Sequence, residues 1–337
     1  MFDTDTIAVT DPPAIPGLLF RHFRGPSDYP GMVAVIEASA EADHIKRVDT
    51  VEDIARHYSH LRNSDPFQDM IFAEVDGRVV GYGRGTWGEL TNGPFIYEMI
   101  GFLAPEWRRK GIGRVMLRWL EGRMREVAAD HPADREKYFQ GYADDKADGI
   151  AALLVAAGYT PVRYGHEMVR PSLDDIPDFP LPDGLELRPV LPEHHRLIWE
   201  ADSEAFRDHW GYSPPQEEDY QAWVSNPVLF RPELWQIAWD TATNEVAGQV
   251  RTFINEAENE KFNRNRGYTE FISVRRPWRR RGVARALIAE SLRVQRDRGM
   301  TESALGVDSE NLTGATRVYE DCGFRTVSRT TVYRKAF

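Results

Sequence analysis

Cysteine is nearly missing from this 337-residue chain: Cys322 stands alone. No intramolecular disulfide can form, so a reducing, cytoplasmic location is the expectation. Long apolar runs are missing too. No stretch reaches the length of a membrane span, and the opening Met1-Phe-Asp-Thr-Asp has neither a basic flank nor an apolar segment, so no anchor or secretion signal is expected. Excess positive charge is the third absence. Forty-two Lys and Arg face 53 Asp and Glu, a formal net charge of −11, which argues against nucleic acid as a partner because phosphate binding needs a basic surface. His194, His195 and His209 form no metal-ligand spacing, so no metal is expected.

What is present is a globular composition, 42% hydrophobic and 11% aromatic, in a chain comfortable for two domains. It also repeats itself. Gly17-Leu-Leu-Phe-Arg21 and Gly184-Leu-Glu-Leu-Arg188 each read as a first strand. Helical stretches follow at Tyr29 to Ala40 and Glu193 to Phe206. Met70 to Gly81 then reads as two strands turning at Asp76-Gly77, a strong hairpin signal, with Leu234 to Gly248 as its counterpart across a longer turn.

The most specific repeated feature is a joint. Leu103-Ala-Pro-Glu-Trp-Arg108-Arg109-Lys110-Gly111-Ile112-Gly113 and Val274-Arg-Arg-Pro-Trp-Arg279-Arg280-Arg281-Gly282-Val283-Ala284 each end a strand and open an apolar-periodic helix. Backbone N–H groups can converge on an anion at such a place, helped by the helix dipole, and small residues let the backbone come close. Arg275, Arg276, Arg279, Arg280, Arg281 and Arg285 crowd the second copy of an otherwise acidic protein, which suits a socket for the phosphates of a small ligand.

The two joints resemble the acyl-CoA-binding motif of the GNAT acyltransferase superfamily, present twice. The element order β-α-β-β-β-α-β-α-β in both halves agrees, so the resemblance covers nearly the whole chain. It implies an α/β fold of two tandem GNAT-like domains, each a mixed, mostly antiparallel sheet flanked by helices. The boundaries read as 1–172, a Pro- and Asp-rich linker at 173–183 (its Pro-rich run starting at Pro171), and 184–337. Closing strands are expected at His166 to Arg170 for the first half and Thr331 to Arg334 for the second.

The resemblance also implies acetyl-CoA or another short acyl-CoA as cofactor and direct attack by an amine, with no covalent enzyme intermediate. The cofactor would meet Ile272, Ser273, Val274 and Arg279 to Ala284, with a bulge near Phe271 to Ser273 opening the sheet. Val307 to Phe324 matches the superfamily pattern Asn…Ala…Tyr-x-x-x-Gly-Phe, which makes Tyr319 the expected proton donor to the leaving thiolate and Asn311 a pantetheine contact or helix cap. Relatives often carry a carboxylate on the strand before the joint, at varying positions; Glu270 is either that base or a surface or ion-paired residue. Simple alternation puts Glu270, Ile272 and Val274 on one face.

In the first half, Leu154 stands in the slot of Tyr319 and Lys146 in that of Asn311, while the cradle Leu103, Arg108 to Gly113 is intact. That half is expected to be catalytically degenerate, with CoA binding either retained or lost. Asp208 to Tyr212 and the acidic run Asn255 to Glu260 are either walls of an acceptor pocket or ordinary solvated surface. The expected function is N-acetyl transfer to the amine of a small molecule or peptide, by a monomer or homodimer. A non-catalytic acyl-CoA-binding or sensing protein, or a tandem scaffold, is the alternative.

Overall fold

In the computed structural model, residues 5–91, 93–310 and 314–337 are described. The first half runs β1 (Leu18–Arg21), α1 (Tyr29–Ala42), α2 (Val51–Ser59), α3 (Pro66–Asp69), β2 (Met70–Val75), β3 (Arg78–Glu89), β4 (Phe95–Leu103), α4 (Ile112–Ala128), β5 (Lys137–Asp144), α5 (Asp148–Ala156) and β6 (Thr160–Arg170). The second runs β7 (Leu185–Leu187), α6 (His195–Phe206), α7 (Glu217–Val224), β8 (Gln236–Asp240), β9 (Val246–Phe253), α8 (Glu256–Lys261), β10 (Arg266–Val274), α9 (Val283–Asp297), β11 (Glu302–Asp308), α10 (Ala315–Asp321) and β12 (Arg325–Ala336). The expected order of strands and helices is all there. Helices α2, α3, α7 and α8 lie in segments that the repeat did not assign; α2 announces itself by a Thr50–Asp53 capping box.

Local chemistry explains the frame. Asp76 and Gly77 both take positive φ, at 49° and 81°, as a type I′ hairpin turn requires. On β3, a Cβ added to Gly83 or Gly85 would stand 2.9 Å from Leu120 Cδ1 or 2.7 Å from Met124 Cε, so these glycines let α4 lie directly on the sheet. Helix α4 buries Ile112, Val115, Met116, Leu120 and Met124, the face read from its periodicity. Helix α9 buries Val283, Ala286, Leu287, Ile288 and Leu292 in the same way.

The chain divides into two compact units: residues 1–163 with 330–337, and 164–329. In the first, the strand order is β1-β2-β3-β4-β5 followed by the end of β12; in the second it is β7-β8-β9-β10-β11 followed by the end of β6. Within each unit the described pairings are antiparallel except β4 with β5 and β10 with β11. The closing strands are therefore exchanged relative to expectation. Gly165 to Arg170, from the first half of the sequence, pairs with β11, and Thr330 to Ala336 pairs with β5. Both segments are short runs of mixed polar and apolar residues with nothing to tell one edge from the other, so the linear pattern does not encode which β-strand they join. The Pro-rich run after β6 is no free tether: Leu173 is buried, and Ile176, Phe179 and Leu181 pack on the second core. Arg293 also donates to Asp178 at 3.0 Å.

The exchange generates a prediction. A fragment of 184–337 would lack the strand that covers β11 and would carry an orphaned β12, whereas 164–329 is a complete unit. By circular dichroism on heating, the shorter design is expected to show no cooperative transition and the fragment 164–329 to show one.

Candidate active site

The two joints have the same backbone. Arg109 and Gly111 take φ of 59° and 89°; Arg280 and Gly282 take 61° and 89°. Gly111 and Gly282 are the N-caps of α4 and α9, and neither helix has a side-chain cap, so the first-turn N–H groups remain available. Arg279 does not reach outward. Its Nε donates to the Val274 carbonyl at 2.9 Å, Nη1 to Asp208 at 2.8 Å and Nη2 to the Ala205 carbonyl at 2.9 Å. Arg108 likewise donates to the Leu103 carbonyl at 3.2 Å, to Asp43 at 2.6 Å and to Ser39 Oγ at 2.6 Å. Each arginine ties the strand end to the preceding helix and so shapes the turn. Arg280 and Arg281 stay exposed, and Val283 is buried beneath the joint.

Between Glu270 and Ser273 the register of β10 against β9 shifts, an inserted residue that makes a bulge. The bulge falls on the residues expected to open the sheet. Phe271 takes φ 50°, which costs a non-glycine residue about 1 kcal/mol or more. The strain is held by neighbours. Arg251 stacks its guanidinium 4.3 Å from the Phe271 centroid and donates to Asp202 at 2.5 Å. Asp202, on α6, also accepts from Ser273 Oγ at 2.8 Å and Gln249 Nε2 at 2.7 Å. Sequence reasoning passed over Asp202 and Arg251, although an Arg three residues after Gly81 and after Gly248 repeats in both halves. The inserted residue also corrects the expected alternation. Val274 lies opposite Gly248 and Glu270 opposite Arg251, positions three apart on β9, so Glu270 and Val274 face opposite sides. Ile272 and Val274 pack on the core that contains α9.

Parallel pairing of β10 with β11 covers only Arg266 to Tyr268, and the strands then part. Glu270 spans the gap, its Oε1 accepting from the Gly306 N–H at 2.7 Å. Burial pushes its carboxyl up to about 7, against the opposing effect of the backbone donors of Gly306 and Phe271; the nearby Glu167 charge adds to the rise. Tyr319, on α10, is buried among Cys322, Phe324 and Leu305. Its hydroxyl makes no hydrogen bond among the described residues, and burial together with the Glu270 charge holds its proton more tightly than an ordinary phenol does. Asn311 lies outside the described residues.

The first unit keeps the joint and loses the rest. Strand β4 pairs with β3 in unbroken register from Leu103 to Phe95, without a bulge. Gly81 lies opposite Leu103 as Gly248 lies opposite Val274, so Ile100, opposite Arg84, is the register counterpart of Glu270. Leu154, four residues before Gly158, is buried where the second unit has Tyr319. A Cβ on Gly111 would stand 3.3 Å from Pro13 Cγ, and one on Gly113 3.4 Å from Leu153 Cδ2. A Cβ on Gly282 would meet nothing within 4 Å.

The features offered as acceptor walls resolve partly into framework. Asp208 binds both Arg276 and Arg279, which hold its carboxyl well below the usual range. Glu258, in α8, is taken by Arg264 and the Tyr268 hydroxyl. His209 is half-buried, its ring tilted against Phe206 with centroids 4.2 Å apart; burial lowers its proton affinity.

The model of the Acetyltransferase (GNAT) family matches residues 35–134 and 195–324. Among curated relatives, the mycothiol acetyltransferase of Geodermatophilus obscurus is 26% identical over 316 residues, covering 92% of this chain and 95% of the relative. That of Salinispora arenicola is 28% identical over 321 residues, covering 92% and 87%. A GCN5-related N-acetyltransferase structure from Sphaerobacter thermophilus superposes with a TM-score of 0.73 at 27% identity, over 98% of this chain and 97% of that one. A tandem GNAT protein from the clavulanic acid biosynthesis pathway shares the fold, with a TM-score of 0.64 at 17% identity over 95% and 98%. Two family matches spanning well over half of the sequence, on two units of the same strand order, place this chain in the GNAT acetyltransferase family, as a tandem member.

Proposed function

We propose that the chain transfers an acetyl group from acetyl-CoA to the primary amine of a small molecule, by direct attack in a ternary complex, and that the second unit alone does so. The observation that carries this reading is the coexistence, in one unit only, of an open left-handed joint, a strand bulge, a carboxyl of raised proton affinity and a buried tyrosine. The mycothiol acetyltransferases, at 26 and 28% identity, favour a small-molecule amine over a peptide.

Acetyl-CoA supplies the activated thioester. The first-turn N–H groups of α9 and the exposed Arg280 and Arg281 suit its pyrophosphate, and the open space at Gly282 is where a phosphate would approach. The Phe271 N–H serves the Glu270 carboxyl, so the main-chain N–H groups of the bulge beyond it are the ones to polarise the thioester carbonyl as charge develops on its oxygen. Glu270 takes a proton from the ammonium that attack creates. Tyr319 donates its proton to the departing sulfur, and its tight hold on that proton keeps the phenol protonated and neutral throughout the neutral range until then. In the first unit, Ile100 and Leu154 can neither accept nor give a proton.

Titration calorimetry is expected to find one acetyl-CoA site per chain, abolished by Gly282→Glu and unchanged by Gly111→Glu. No binding at all to the intact protein overturns the transferase reading. Tyr319→Phe is expected to lower kcat roughly 100-fold while leaving acetyl-CoA affinity within about twofold. The kcat/KM for an amine should rise with pH through a midpoint near 7, the ionisation of Glu270, and Glu270→Gln should remove that step. Stability moves the other way. The folded carboxyl holds its proton more tightly than the unfolded one, so the contribution of Glu270 is full below about 4.5 and is lost as pH rises to about 7. Glu270→Gln should therefore melt higher than the parent at pH 8, with the difference closing by pH 4.

A further inference from the structure

The helix that carries Tyr319 is braced by a strand from the other half of the sequence. Arg170, at the end of β6, is 7% exposed. It donates through Nη1 to the Cys322 carbonyl and through Nη2 to the Asp175 carbonyl. Its guanidinium occupies the space over Gly323, where a Cβ would stand 2.0 Å from Nη1. Gly323, at φ 86°, closes α10 with Phe324 N–H on the Tyr319 carbonyl at 3.0 Å and Gly323 N–H on the Glu320 carbonyl at 2.9 Å. Arg170 thus grips the turn whose hydrogen bonds end on the backbone of Tyr319 itself.

Helix α10 needs such a grip. It has seven residues and begins at Gly314 without a side-chain cap, too short to hold a direction of its own. The first unit supplies an internal control. Glu98 and Gln140 pair there as Tyr268 and Ala304 pair in the second unit. Lys335, opposite Phe139, is therefore the register counterpart of Arg170, opposite Ser303. Lys335 turns to Glu121 at 2.9 Å, and the Gly158 turn has open space where Arg170 would lie. Brace and tyrosine occur together, and lysine and Leu154 occur together.

We propose that Arg170 is a positioning residue for proton donation by Tyr319, aiming the phenol by fixing the C-terminal turn of α10. The inference rests on the reading of Tyr319 as the proton donor. Its planar fork reaches two carbonyls at once, which a lysine cannot copy.

The test uses the full-length protein with Arg170→Met and Arg170→Lys, each alone and combined with Tyr319→Phe. In the parent background, Arg170→Met is expected to lower kcat about tenfold or more, with KM for acetyl-CoA within about twofold, and Arg170→Lys to fall between. In the Tyr319→Phe background the same substitutions should change kcat less than about twofold, because the group they aim is gone. Equal losses in both backgrounds, or a lowered melting temperature with parental kcat, would show a structural brace only and overturn the proposal. If Arg170→Met does not fold, the Arg170→Lys pair makes the same comparison. If Tyr319→Phe keeps parental kcat, the proton-donor reading fails first and this inference falls with it; a low kcat for Tyr319→Phe with additive Arg170 effects overturns the inference alone.

Discussion

Everything in the second unit turns on where the pairing of β10 with β11 stops. Parallel strands left to themselves continue their ladder, since each unpaired buried N–H or carbonyl costs free energy. Here the ladder ends after Tyr268, and the cost is met locally. Glu270 satisfies the Gly306 N–H with a side chain. The bulge removes Phe271 and Ile272 from regular pairing with β9, and Asp202 anchors Ser273 just beyond it. Asp202 gathers Ser273, Gln249 and the nearly fully buried Arg251, so removing that one carboxylate would leave a buried cation without its ion-pair partner. The parting of β10 from β11 thus runs against the tendency of the sheet to stay paired, and Glu270 itself bridges it through the Gly306 N–H.

The first unit is the same architecture without that opposition. Its joint has the same two left-handed residues, and its arginine makes the same bridge from strand end to helix. Yet β4 has no inserted residue, and Glu98 spends its carboxylate on the Tyr142 hydroxyl at 2.6 Å and Gln140 at 3.3 Å. Ile100 and Leu154 are aliphatic, and Pro13 and Leu153 lie close over Gly111 and Gly113. The same joint thus serves as a structural turn in both units, and only in the second does it have the open space that the proposed phosphate cradle needs. That distinction separates the two halves more sharply than the motif does.

The architecture was legible because most of it is local. Hairpin chemistry at Asp76-Gly77, the faces of α4 and α9, and the two joints are written in short stretches of sequence. The bulge was anticipated at the right residues only through the family pattern, and its consequence was not: one inserted residue reverses the side on which Glu270 lies relative to Val274. The exchange of closing strands was not legible either, since neither His166 to Arg170 nor Thr331 to Arg334 carries a pattern that selects one edge, and edge pairing is decided by tertiary packing. Asp202, Arg251 and Arg170 were passed over for a related reason. Each acts across the sheet on a partner 20 or more residues away, and no spacing rule connects them.

The exchange changes what the first half is for. Strand β6 covers the edge of β11 that would otherwise be open, brings Glu167 to the side of the sheet on which Glu270 lies, and carries the arginine that reaches α10. The run after it packs Leu173, Ile176 and Phe179 onto the second core. In return, the first unit holds Thr330 to Phe337, with Lys335 paired to buried Glu121 and Phe337 stacked 4.2 Å from Phe139. A first half that had lost every reactive group would still be required by the second, because a wall of the second sheet is made from its chain. Loss of chemistry and retention of fold are then compatible outcomes in one half. What the second unit takes from the first half is the strand pairing of Gly165 to Arg170 and the contact of Arg170 with the Cys322 carbonyl, and neither depends on Ile100 or Leu154.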